Sequence, residues 1–100
     1  MKKTIKLTKK TAEELVRKVL GVSGKLEKQT QAPEICIFKM QMGEMEVSVE
    51  NDWYKRNGLF LMQITFPYSG SVTWLYFDPV TLEADLHANA TAQKELREEK

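Results

Sequence analysis

ICIFKMQMGEMEVSV, residues Ile35 to Val49, holds two alternating runs on either side of Gly43-Glu44. A two-residue loop with glycine first suits a type II′ hairpin turn. Counting outward sets Met42 opposite Met45, Met40 opposite Val47 and Phe38 opposite Val49 on one face. The other face pairs Gln41 with Glu46 and Lys39 with Ser48. Turn chemistry and hydrophobic pattern choose the same register, and a slip of one residue would turn every apolar side chain outward. The stretch predicts an antiparallel sheet with one apolar face.

Toward the C-terminus, Asn57-Gly58 is a strong hairpin signal and predicts a type I′ turn. Pairing from it sets Lys55 opposite Phe60, Trp53 opposite Met62, Asn51 opposite Ile64 and Val49 opposite Phe66. Phe60, Met62, Ile64 and Phe66 thereby join the face that holds Val49. A two-residue loop at Ser69-Gly70 sets Ile64 opposite Leu75 and Met62 opposite Phe77, with Trp74 and Tyr76 on the other face; a loop one residue longer would exchange the two sets. Beyond the Asp78-Pro79 turn, LEADLHANA alternates from Leu82, and we expect a fifth strand to about Ala88. Leu82, Leu86 and Ala90 are also spaced by four, which fits a helix. Residues 89–100 form a charged tail, helical from Thr91.

Toward the N-terminus, Thr11-Ala12-Glu13-Glu14 reads as a capping box. Ala12, Leu15, Val16, Val19 and Leu20 then make one apolar stripe, and Gly21 supplies a left-handed stop, so we expect a helix over residues 12–20. Thr4 to Leu7 alternates as a short edge strand would. Residues 21–34, rich in Gly, Ser, Gln, Lys and Pro, read as a connecting loop. The fold class that follows is α+β in a single domain: one N-terminal helix packed on an antiparallel meander of four to five strands spanning residues 35–88.

The chain has 100 residues, enough for one core, and its 42% apolar and 29% charged residues suit a folded globular domain. A net charge of +1 conceals a division. Residues 1–28 carry nine basic and three acidic side chains, a balance of +6, and the remainder carries six and eleven, a balance of −5. A basic front joined to an acidic body can steer a charged partner or pair with itself. No apolar run approaches a membrane span, and no apolar segment follows the N-terminal lysines as a secretory signal requires, so we expect a cytoplasmic protein. The single cysteine, Cys36, agrees with a reducing compartment.

No stretch matches a catalytic or cofactor signature. Cys36 and His87 are the one cysteine and one histidine, a pair that could in principle supply a nucleophile and a base. Cys36, however, shares its face with Phe38, Met40 and Met42, where a thiol acts as a small hydrophobe. We therefore expect no catalytic residues. Met40, Met42 and Met45 could offer thioethers to a soft metal, yet all three point to the core face, and one Cys with one His disfavours zinc. No metal, cofactor or small-molecule ligand is expected.

The outer sheet face is different. It gathers Tyr54, Arg56, Leu59, Leu61, Trp74 and Tyr76 toward one end, with Glu46, Ser48, Glu50 and Asp52 toward the other. Tyr, Trp and Arg beside a charged rim have the composition of a protein interface. We expect a small non-enzymatic protein-binding domain, an accessory, adaptor or inhibitor protein, with Tyr54, Arg56, Leu61, Trp74 and Tyr76 as binding residues. The same face could be satisfied by a homodimer or by the C-terminal segment folding over it. Nucleic-acid binding through the Lys-rich N-terminal region is the alternative, weakened by Glu46, Glu50 and Asp52 beside the aromatics.

Overall fold

The computed structural model describes residues 6–29, 36–51 and 58–98. Its first helix, α1 (Lys9–Leu20), begins one turn earlier than the sequence predicts. Thr8, not Thr11, is the N-cap: its backbone is extended and its hydroxyl accepts from the Thr11 amide at 3.2 Å. The end is as expected, with Gly21 at φ 70° and its amide donating to the Arg17 carbonyl at 2.8 Å. Ala12, Leu15 and Val16 are buried.

Five strands follow: β1 (Glu27–Lys28), β2 (Ile37–Met42), β3 (Met45–Asn51), β4 (Phe60–Phe66) and β5 (Ser71–Phe77). All neighbours are antiparallel and the spatial order is the chain order, a meander. The edge strand lies inside the segment read as a loop: Glu27 pairs with Lys39 and Lys28 with Phe38. Of the N-terminal strand expected over Thr4 to Leu7, Thr4 and Ile5 fall outside the described residues. Lys6 and Leu7 are not in a strand, and Leu7 is a buried member of the core.

The β2–β3 hairpin has the predicted register at every position, and Gly43 sits at φ 58°. The other two hairpins differ from expectation, each by an even number. Asn51 pairs with Phe60, Val49 with Met62 and Val47 with Ile64, so β3 and β4 are offset by four residues from a tight Asn57-Gly58 turn. Expected partners for Lys55 and Trp53 are thereby taken; those two residues lie outside the described ones. Met62 pairs with Leu75 and Phe60 with Phe77, which leaves a four-residue Pro67–Gly70 connection instead of two. Because side chains alternate with period two, even offsets keep every residue on its predicted face.

The inner face therefore presents Phe38, Val49, Met62 and Leu75 in one row and Met40, Val47, Ile64 and Thr73 in the next. Helix α1 lies on this face, its apolar stripe joined to Leu7, Leu26, Cys36, Phe60 and Phe77 in one core. Cys36 is buried, and its thiol donates to the Leu7 carbonyl at 3.3 Å.

After β5 the expected fifth strand over Leu82 to Ala88 does not form. Only Ala84 makes an isolated bridge, to Phe77, and the chain then enters a second helix, α2 (Leu86–Glu98). Two side chains decide the change. Asp78 Oδ1 accepts from the Val80 and Thr81 amides at 2.8 and 3.0 Å, closing a turn that leaves Leu82 in the left-handed region at φ 60°. Asp85 Oδ1 accepts from the Ala88 amide at 2.9 Å, the N-cap contact that starts α2. Lys18 Nζ donates to the Leu82 carbonyl at 2.8 Å and ties this turn to α1.

Candidate functional site

The outer face is built from three cross-strand rows. Ile37, Glu50, Leu61 and Tyr76 form the first; Lys39, Ser48, Gln63 and Trp74 the second; Gln41, Glu46, Thr65 and Val72 the third, nearest the hairpin tips. Of the residues expected to bind, Leu61, Trp74 and Tyr76 are brought together on this face. Tyr54 and Arg56 lie outside the described residues. On β4 and β5 the first row is not open: Leu61 is 6% and Tyr76 3% exposed, in a cluster with Leu59, Trp74 and Ala88 of α2. The chain's own C-terminal helix covers this end of the face, one of the covers the sequence leaves open.

A backbone clamp holds the cover. Asn89, on the turn of α2 that carries Ala88, accepts from the Tyr76 amide and donates to the Tyr76 carbonyl, the latter at 3.3 Å. The Asp85 amide donates to the same carbonyl at 2.9 Å. A strand edge that would otherwise present paired donors and acceptors is thus closed by a side-chain amide.

In the second and third rows the surface is polar. Trp74 is half-buried, its indole Nε1 donating to Gln63 Oε1 at 3.0 Å, which lays the ring across toward β4. Lys39 Nζ and Glu46 Oε1 form a 2.7 Å ion pair between partly exposed side chains.

Open apolar surface lies instead at the hairpin tips, and the sequence pattern assigns part of it to the core. Phe66 is 42% exposed although its parity is inward, and Tyr68 in the Pro67–Gly70 connection is 89% exposed. Continuing the β3–β4 register by one residue sets Phe66 beside Met45, itself opposite Met42, and both methionines are only half-buried. The signal that could have located this surface is position: Phe66 ends β4, and Met42 and Met45 flank the β2–β3 turn, so all three stand at strand ends.

The basic residues of α1 lie elsewhere. Lys9, Lys10, Arg17 and Lys18 are exposed on α1, whose buried side packs on the inner sheet face. These four cations and the outer face, which keeps Lys39, therefore look out from opposite layers. Cys36 is in the core and His87 is exposed on α2, so the two belong to different layers as well. Among the described residues no three His, Cys, Asp or Glu side chains group as metal ligands, and no helix is long and apolar enough to cross a membrane.

Comparison of the chain with models of protein families, with curated proteins and with solved structures found no match.

Proposed function

We propose that this chain is a non-enzymatic protein-binding domain that engages its partner with the hairpin-tip end of the sheet. The observation that carries the reading is the pair Phe66 and Tyr68, 42% and 89% exposed, continuous with the half-buried Met42 and Met45. Aromatic rings supply large contact area with few torsions to immobilise, and methionine adapts to an irregular counter-surface. Glu44 is exposed on the β2–β3 turn and Glu46 partly so, which favours a partner with a basic rim. Trp74 and Gln63, lower on the outer face, can extend the contact. The buried free thiol of Cys36 suits a reducing compartment, and we place the protein in the cytoplasm.

The carboxylates of Glu44 and Glu46 at the β2–β3 tip support a protein partner over a nucleic acid, because they repel phosphate. The test is site-specific photo-crosslinking in extract of the source cells, with a benzophenone side chain in place of Tyr68 or of Lys10. A discrete, nuclease-resistant adduct from position 68, abolished by Phe66→Ser, is the expected result. Adducts from position 10 alone, removed by nuclease, would transfer the function to the basic helix.

A further inference from the structure

We propose, on the reading of the hairpin tips as the binding surface, that Met42 and Met45 make that surface a peroxide-sensitive switch. The partner is held while both are thioethers and released when both are sulfoxides. Sulfur atoms among the described residues are shielded unequally. Met62 is 0% exposed in the core. Cys36 is buried too, its thiol donating to the Leu7 carbonyl. Met40 is half-buried and roofed by the backbone of Gly24, where a Cβ would stand 2.7 Å from Met40 Sδ.

Met42 and Met45 stand differently. They flank the Gly43-Glu44 turn, both of whose residues are exposed, and a Cβ at Gly43 would meet nothing within 4 Å. The two are half-buried and directly opposite across the hairpin, and Met45 lies beside Phe66, which is 42% exposed. Residues directly opposite in an antiparallel pair hold their Cβ atoms roughly 5 Å apart, so the two thioethers are neighbours.

Hydrogen peroxide oxidises a thioether by oxygen transfer. A sulfur lone pair attacks one peroxide oxygen, and the S–O bond forms as the O–O bond breaks. The proton of the transferred oxygen passes to the departing hydroxide, which leaves as water; sulfur loses two electrons and the peroxide gains them. Peroxide must reach the lone pair, so the order of shielding sets the order of reaction: Met42 and Met45 first, Met40 later, Met62 only on unfolding. The product is a polar, chiral side chain, and thiol-dependent sulfoxide reductases reverse the change, oxidising two thiols to a disulfide and releasing the oxygen as water. A partner that covers Met42 and Met45 must bury the new oxygens, whereas in the unbound protein strand ends beside an exposed turn leave them in water. Binding is therefore lost before folding is.

Peptide-mapping mass spectrometry and the photo-crosslink from position 68 together test this. Protein with the benzophenone side chain is treated with hydrogen peroxide, cleared of it with catalase and added to desalted extract, which lacks the small thiols that would reverse the reaction. Met42 and Met45 are expected to gain oxygen while Met62 does not, and the adduct is expected to fall roughly tenfold. Met42→Leu/Met45→Leu keeps apolar volume and takes up no oxygen, so its adduct is expected to survive the same treatment. Where the leucine pair already weakens the untreated adduct, recovery of the wild-type adduct by sulfoxide reductase with dithiothreitol is the deciding comparison. Oxidation of Met62 in step with the tip methionines overturns the proposal, as does loss of the far-UV dichroism of helix and sheet on oxidation. An adduct that persists when Met42 and Met45 are both sulfoxides overturns it as well. No adduct from untreated wild type overturns the reading of the tip itself, and the switch with it.

Discussion

Leu82 is a leucine where the backbone asks for glycine. It stands at φ 60°, and its side chain packs partly buried against the core while its carbonyl accepts from Lys18. A non-glycine residue in the left-handed region costs roughly 1–2 kcal/mol, so packing is what keeps leucine there. Replacing it separates the two effects. Leu82→Ala loses the packing and keeps the strain, whereas Leu82→Gly loses the packing and relieves it. Glycine is therefore expected to be the more stable variant by about 1 kcal/mol, the reverse of the usual order, and urea unfolding of both variants measures it. Four residues earlier, Asp78 receives the Thr81 and Val80 amides, and those backbone hydrogen bonds, with the Thr81 hydroxyl, hold its pKa below the ordinary 3.8 against a small opposing effect of burial. A depressed carboxylate stabilises the fold above its unfolded pKa and loses that contribution as the pH falls through the folded one. Asp78→Asn is thus expected to be less stable than wild type at neutral pH, with the gap closing below about pH 4. A gap unchanged between pH 6 and pH 2 would show that the carboxylate charge is not what holds the turn.

Elements were legible in proportion to how far their signals were local. In β2–β3 the turn and the strands carry the same information, and every pairing follows from Gly43-Glu44. For the next two hairpins the apolar pattern fixes the faces but not the offset, since a shift of four or of two residues keeps Phe60, Met62, Leu75 and Phe77 inside. Residues from Leu82 to Ala88 mislead for a different reason. Leu82 and Ala84 do behave as an alternating segment, one packed on the core and one bridged to β5, but the pattern is cut at Asp85, whose carboxylate caps α2. The start of α1 is ambiguous because Thr8 and Thr11 are both credible caps and Lys9-Lys10 gives no apolar period to choose between them. With Thr8 as the cap, Thr8→Ala is expected to cost about 1 kcal/mol and Thr11→Ala only a few tenths. Thermal melts of the two variants distinguish the starts, and equal losses would return the cap to the capping box.

At the scale of the molecule, where the two helices lie on the sheet decides which apolar residues are open. The sequence places Phe66 inside and Leu61 and Tyr76 outside, and by strand parity each is where it was placed. Exposure runs the other way, because α1 leaves the tip end of the inner face uncovered while α2 closes the far end of the outer one. Parity is a local property; cover depends on where a second element travels, and no pattern in residues 78 to 98 announces that Ala88 will come to rest by Tyr76. The same argument orders the energetic cost of substitution. Leu61 is enclosed, so Leu61→Ala is expected to cost about 2–4 kcal/mol through lost burial and the cavity left behind. Tyr68→Ala, at a position 89% exposed, is expected to change stability by no more than about 0.5 kcal/mol. Urea titrations of the two variants supply the comparison. A Leu61→Ala variant as stable as wild type would mean that α2 does not cover the outer face in solution, and the binding surface would then move back from the hairpin tips to Leu61, Trp74 and Tyr76. A large loss at Tyr68 would mean that the tip packs on another surface already, most directly on a second copy of the chain.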